Sequence, residues 1–241
     1  MTSKRCRLDR FICRQASLSR RDVKVLLASG CVRINGEVTN DGQQVIHQFD
    51  HLMLNEQVLQ DNTAYYLMLN KPPGVVSACK DVQHRTVVDL LPSDTYPDLH
   101  IAGRLDFNST GLLLLTNDGR WSRFIAAPEN NIQKRYRVTL EKPLNEQYVA
   151  AFADGMYFEY EGITLRPATL EIISEYEAEV HLSEGRYHQI KRMFGRFQNK
   201  VLSLHRIAIG SLELDRNLAP GQHRCLSEEE VVKLGKGSAF G

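Results

Sequence analysis

No apolar run in the sequence approaches the ~18 residues that a membrane-crossing helix needs, so no helical membrane span is expected. The first fifteen residues, MTSKRCRLDRFICRQ, are charged throughout and lack the apolar stretch of a signal peptide, so secretion is not expected either. Cysteine is scarce. Cys6, Cys13, Cys31, Cys79 and Cys225 are odd in number and contain no CxxC pair, which argues against a disulfide framework or a zinc ribbon and for free thiols in a reducing cytoplasm. His84, His100 and His188 are scattered without metal-ligand spacing and are expected to be structural. There is no internal repeat and no low-complexity segment.

What is present is an ordinary globular composition. The 241 residues are 42% hydrophobic and 24% charged, enough for one large domain or a medium domain with a small one attached. The net charge of +1 conceals an asymmetry. The first thirty residues hold eight basic side chains against Asp9 and Asp22, a net of +6, which leaves −5 for the rest. Charge gathered at one end points to a local polyanion-binding element.

The chain changes texture along its length. Near the start, Leu8, Phe11 and Ile12 have helical spacing. Ser19 with Asp22 fits a capping box for a second helix bearing Val23, Leu26 and Leu27, and Gly30 is placed to end it. VRINGEV, from Val32 to Val38, carries an Asn-Gly hairpin signal, and HLMLNEQVL suggests another short strand pair. Gln60 to Ala64 reads as a linker. Beyond it YYLMLN, GLLLLTND, KRYRVTL, AEVHL and VLSLHRIAIG read as strands, with helices expected over Glu146–Gly155, Gly185–Phe197 and Ser227–Leu234. Strands outnumber helices and do not alternate with them strictly. The expected class is therefore α+β with a mixed or antiparallel sheet.

Arg7, Arg10 and Arg14 lie at i, i+3 and i+7 on the first helix, and Arg20, Arg21 and Lys24 begin the second. With almost no acid nearby, phosphate binding is favoured over a merely solvated face. The stretch from Arg7 to Leu59, with its Ser-Arg pair, its glycine and its V-x-I-N-G turn, resembles the S4 RNA-binding domain. That resemblance implies RNA binding through backbone and shape.

A lone aspartate at position 106 would be read as a turn cap. Here it sits in Gly103-Arg104-Leu105-Asp106, followed by Ser109-Thr110-Gly111 and a run of leucines. This string resembles the catalytic motif of the pseudouridine synthases of the RsuA and RluA groups, and the resemblance implies that Asp106 is the nucleophile. Isomerising uridine breaks an N-glycosidic bond and makes a C–C bond. A carboxylate can attack the sugar or stabilise its cationic character, and the chemistry requires no metal or organic cofactor. The resemblance gives Arg104 a place in the RNA stack that the target base leaves.

A carboxylate in a cleft needs a positive partner to stay ionised. SEGRYHQIKRMF supplies one: Tyr187, Ile190, Phe194 and Phe197 form a core-facing stripe, and Lys191 borders it. R-x-H-Q-I-K is similar to the family's third motif, which implies that Lys191 pairs with Asp106 and that Ile190 packs the base pocket. Tyr136 alternates with Arg135 and Arg137 onto the apolar side of its strand. The resemblance makes it the ring that stacks on the target base and takes part in proton transfer.

The string SEGRYHQIKRMF with VLSLHR is most similar to the RsuA group. This implies an S4-like RNA-binding domain over residues 1–60 and a pseudouridine synthase domain over 61–241. It further implies a cytoplasmic monomer acting on 16S rRNA or a small-subunit assembly intermediate, with uridine 516 the expected target. A synthase for 23S rRNA and a non-catalytic S4-type ribosome-binding protein remain open as alternatives. The segments MTSKRC and GKGSAFG fall outside the resemblance and are expected to be disordered.

Overall fold

A computed structural model of the protein describes residues 6–235, so most of MTSKRC and of GKGSAFG lies outside the described residues. The chain divides into two compact units between Ala64 and Tyr65, a few residues beyond the boundary expected at 60/61.

In the first unit β1 (Cys6–Arg7) leads into α1 (Leu8–Gln15) and α2 (Arg20–Ala28). The Ser19 hydroxyl accepts from the Asp22 amide at the start of α2, and Gly30, at φ +72°, takes the left-handed turn after its end. Next come β2 (Val32–Ile34), β3 (Glu37–Val38), β4 (Val45–Ile46), β5 (Leu52–Leu54) and β6 (Gln57–Gln60). Asn35 and Gly36 both have positive φ, as the tight turn between β2 and β3 requires. The sheet runs β3-β2-β5-β6, and β1 pairs with β4. Leu8, Ile12, Val23, Val32 and Leu52 are fully buried between the helices and this sheet.

In the second unit β7 (Tyr66–Lys71), β8 (His100–Ala102) and β9 (Thr110–Thr116) precede α3 (Gly119–Ala126). There follow β10 (Lys134–Leu140), α4 (Glu146–Asp154), β11 (Tyr157–Phe158), β12 (Ile163–Thr164), β13 (Thr169–Ser174) and β14 (Glu177–Leu182). The chain continues with α5 (Gln189–Gly195), β15 (Val201–Ile209), β16 (Leu212–Glu213), β17 (His223–Cys225) and α6 (Glu228–Leu234). The main sheet is ordered β13-β14-β10-β15-β9-β7-β17, with β16 beside β15 and β8 beside β9; β11 and β12 pair separately. Its pairings are antiparallel except where β15 runs parallel to β9. The mixed α+β class is therefore as expected.

Period-two geometry explains the leucine run. Leu113 and Leu115 pack with Tyr148, Phe152, Ile190 and Phe194 on one face of the sheet. Leu112 and Leu114 pack with Met68, Trp121 and Ile125 on the other. A strand covered on both faces is apolar at every position. Each fully buried leucine contributes about 1.5–3 kcal/mol, so β9 is a rigid base for whatever is attached to its start. Helix α3 was not expected from the sequence; its signal is Asp118, whose carboxylate accepts from the Arg120 and Trp121 amides. The expected helix over Gly185–Phe197 is shorter than its apolar spacing suggests. It begins at Gln189, after His188 takes a left-handed backbone. Tyr187 consequently leaves the core-facing stripe and is 77% exposed, whereas Ile190 and Phe194 are buried and Phe197 is partly covered.

Candidate active site

Arg104, Asp106, Tyr136, His188 and Ile190 line one small pocket of about 80 Å³. Larger hollows exist, including one of about 480 Å³ beside Arg135, Arg137 and Glu179, but Arg135 and Arg137 are engaged there in ion pairs with Glu213 and Glu179. The small pocket is where unspent chemistry converges.

The acid stands in the turn between β8 and β9. Its backbone is held from three directions. The Ser77 hydroxyl donates to the Leu105 carbonyl oxygen at 2.7 Å and accepts from the Leu105 amide at 3.1 Å. The Lys71 ammonium donates to the carbonyl oxygens of Pro72, Phe107 and Ser109 at 2.9–3.0 Å. The Arg206 guanidinium donates to the carbonyl oxygens of Leu112, Gly103 and Arg104 at 2.7, 3.1 and 3.3 Å. The turn itself closes through the Ser109 amide on the Asp106 carbonyl oxygen. Lys71 is fully buried and Arg206 is 2% exposed, and among the described residues neither has a carboxylate as a hydrogen-bond partner. Burial pushes the Lys71 ammonium down to about 8; the Asp106 charge opposes that fall and the Arg206 charge adds to it. Burial, aided by Arg206, brings Lys134 to about 8 as well. The acid's turn thus has positive charge beneath it.

Gly111 makes the Arg206 contact possible. It has φ +99°, and a Cβ there would collide with the Arg206 carbonyl oxygen, the backbone to which it is paired in the parallel β9–β15 register. Glycine at this point lets β15 come close enough for its arginine to reach under the turn.

On the solvent side of the acid two nitrogen-bearing side chains approach. Lys191 Nζ lies 3.2 Å from Asp106 Oδ2, and His188 Nε2 lies 3.4 Å from Oδ1. Both come from the loop and first turn of α5. The buried Glu184 carboxylate steadies that loop: it accepts from the Arg166 amide, the Gln189 side chain and the Arg186 guanidinium. Tyr136 is 8% exposed with its ring toward the pocket, and its hydroxyl accepts from Arg206 at 3.4 Å. Ile190 is buried beside it. Arg104 is exposed at the same pocket and has no ion pair among the described residues.

A model of the RNA pseudouridylate synthase family matches residues 65–195. The chain belongs to this family. A protein of Pseudomonas aeruginosa named ribosomal small subunit pseudouridine synthase A is 50% identical over 229 residues, 95% of this chain and all of that one. The protein of the same name from Escherichia coli is 39% identical over 95% of this chain and 99% of its own length. A crystal structure of a pseudouridylate synthase is 41% identical, covers 95% of this chain and 99% of that one, and superposes with a TM-score of 0.69. The pocket built on Asp106 therefore lies in the stretch that matches an RNA-isomerase family.

The structure brings Asp106, Lys191, Tyr136, Arg104 and Ile190 together, as the sequence suggested. It corrects the reading of His188, which joins the acid instead of standing apart. His84 and His100 do not: His100 Nε2 is 2.6 Å from the Ser122 hydroxyl, and His84 lies edge-on to Phe107. Lys71, Ser77 and Arg206 were missed. In the N-terminal unit Arg10, Arg14, Arg20, Arg21 and Lys24 are exposed, but Arg7 departs from expectation. It precedes α1 and binds Asp9 at 2.5 Å, so it is not part of the helix-face stripe and does not lack an acidic partner.

Proposed function

We propose that this protein isomerises a uridine of small-subunit (16S) rRNA to pseudouridine, with uridine 516 as the target. The observation that carries this reading is Asp106, sharing one pocket with Tyr136 and ion-paired to Lys191, in a chain that belongs to the pseudouridylate synthase family. The names of the relatives support the small-subunit substrate.

In this reading the target base leaves its stack and enters the pocket while Arg104 takes its place. The Asp106 carboxylate attacks the nucleotide or stabilises positive charge on the sugar as the bond between C1′ and N1 breaks. The detached uracil turns under Tyr136 and Ile190, C5 bonds to C1′, the hydrogen on C5 leaves, and N1 regains a proton. Nothing is gained or lost overall, so the protein supplies only charge, position and proton transfer. Lys191, 3.2 Å away, holds the carboxylate aimed. The N-terminal unit acts as an S4-like RNA-binding module through Arg10, Arg14, Arg20, Arg21 and Lys24. The protein works as a monomer in the cytoplasm, on free 16S rRNA or an assembly intermediate.

The test is to map pseudouridines in rRNA from cells lacking this protein. Loss of one site in 16S rRNA, restored by the intact gene and not by an Asp106→Asn copy, is the expected result. Loss at a 23S site instead moves the substrate to the large subunit, and no loss anywhere favours a non-catalytic ribosome-binding role.

A further inference from the structure

Two exposed ring pairs border the acid, and nothing in the chemistry above uses them. Tyr187 stacks on His188 with centroids 3.8 Å apart and planes 19° from parallel, and His188 is the residue whose Nε2 approaches Asp106. Tyr187 is 77% exposed, so the ring face turned away from His188 is open. Phe107, the residue after the acid, is 41% exposed and meets His84 edge-on at 5.2 Å.

Single exposed aromatics are common and need no explanation. These two stand beside the acid on anchored backbone or against anchored partners. The Phe107 carbonyl oxygen accepts from the buried Lys71 and from the Gly74 amide, so the backbone that carries its ring is fixed. The His84 amide and ring are fixed on Asp81. His188 is fixed by its left-handed backbone at φ +50° and by the loop that Glu184 and Gln189 staple. Arg104, exposed and without an ion pair among the described residues, supplies positive charge at the same pocket. Rigid open rings with cations beside them are the means by which proteins take unpaired bases. Preorganisation also lowers the entropy lost when a base docks.

We propose that Tyr187 on His188, and Phe107 with His84, are two stacking platforms that receive the unpaired bases flanking the target uridine. This inference rests on the proposed RNA reading of the pocket and adds a substrate requirement. The enzyme selects a uridine whose neighbours on both sides are themselves unstacked from a helix.

The experiment uses the full-length Asp106→Asn protein and a short single-stranded RNA with one uridine. On either flank that RNA carries a fluorescent adenine analogue that is quenched by stacking. Binding is expected to quench both flanks. Tyr187→Ala should abolish the quench on one flank and Phe107→Ala on the other, while Tyr187→Trp keeps it. With an intact Asp106, each alanine variant should raise KM roughly ten-fold with kcat nearly kept, the loss expected for one stacked base. An RNA abasic at the flank concerned should show no further loss with the matching variant. Quenching that persists in both alanine variants, or abasic and protein changes that add independently, overturns the platforms. Because the fluorescence readout needs no turnover, it distinguishes this failure from failure of the isomerase reading, which appears as lack of product with the wild-type protein.

Discussion

Lys191 and Asp106 form a partly exposed ion pair, 3.2 Å apart with about a third of the lysine side chain and a quarter of the aspartate accessible. The pair is therefore not a buried bridge whose rupture would unfold the protein. Its worth to stability is small, below about 1 kcal/mol, so replacing the lysine tests catalysis more than folding. Lys191→Met should leave the denaturation midpoint nearly unchanged and reduce kcat by roughly a hundred-fold, while Lys191→Arg keeps much of the activity. Equal rates in the two variants would show that the lysine is an ordinary surface residue.

Asp106→Asn keeps the shape of the turn and removes the charge. Turnover should fall by roughly four orders of magnitude or more, as for loss of an essential nucleophile. RNA affinity should change little. Single-turnover assays beside equilibrium binding separate these effects, and a variant that still converts uridine at an appreciable rate refutes the assignment.

At Tyr136 the two halves of the side chain have different partners. The ring faces the pocket and the hydroxyl meets Arg206. Tyr136→Phe should lose about 1 kcal/mol of stability, because the buried guanidinium loses an acceptor, but it should keep the stack. Tyr136→Leu should lower kcat/KM further, by roughly ten-fold relative to Phe. If both variants are equally inactive, the hydroxyl moves a proton.

The buried lysines give a pH signature. Lys71 and Lys134 have folded pKa values near 8, below the usual lysine value of 10.5, so between about pH 8 and 10 the unfolded chain binds more protons than the folded one. Stability gained from these two groups must then rise with pH across that window, and below pH 8 their full cost is present. Lys71→Met should roughly halve this component of the slope. Urea denaturation at pH 7.5 and 9.5, wild type against variant, measures it; parallel slopes would mean that Lys71 is charged throughout.

Arg20, Arg21 and Lys24 are exposed at the start of α2. Replacing all three by Gln should reduce the slope of log affinity against log salt by roughly 2–3 if each touches a phosphate. A salt titration of rRNA binding reads this directly, and an unchanged slope makes the cluster a solvated face.

Much of this was legible in the sequence because periodicity and turn chemistry are local. The alternation in KRYRVTL put Tyr136 inward, and Asn35-Gly36 announced its hairpin. Helix α5 was drawn too long because apolar spacing continues through Tyr187, while the left-handed His188 that ends the loop has no distinctive composition. Lys71 and Arg206 were invisible as site residues for another reason: most of their partners are backbone carbonyls far along the chain. A signal was nevertheless there. Lys71 falls in phase with Leu67 and Leu69, Lys134 with Tyr136 and Val138, and Arg206 with Leu204 and Ala208, so each puts a cation where alternation calls for an apolar residue. A charge on the buried phase of a strand requires some polar group to meet it.

The parallel pairing of Gly111 with Arg206 has a consequence for how the protein comes into being. The turn carrying the acid is closed locally, yet it is clamped by a residue 102 positions after Arg104. Contacts of such separation form late, since the entropy of closing the intervening chain must be overcome first. During synthesis, a chain that has been made only as far as α4 carries every atom of the Asp106 motif but neither Arg206 beneath it nor Lys191 beside it. The surroundings of the acid are therefore complete only once the sheet has been made through β15.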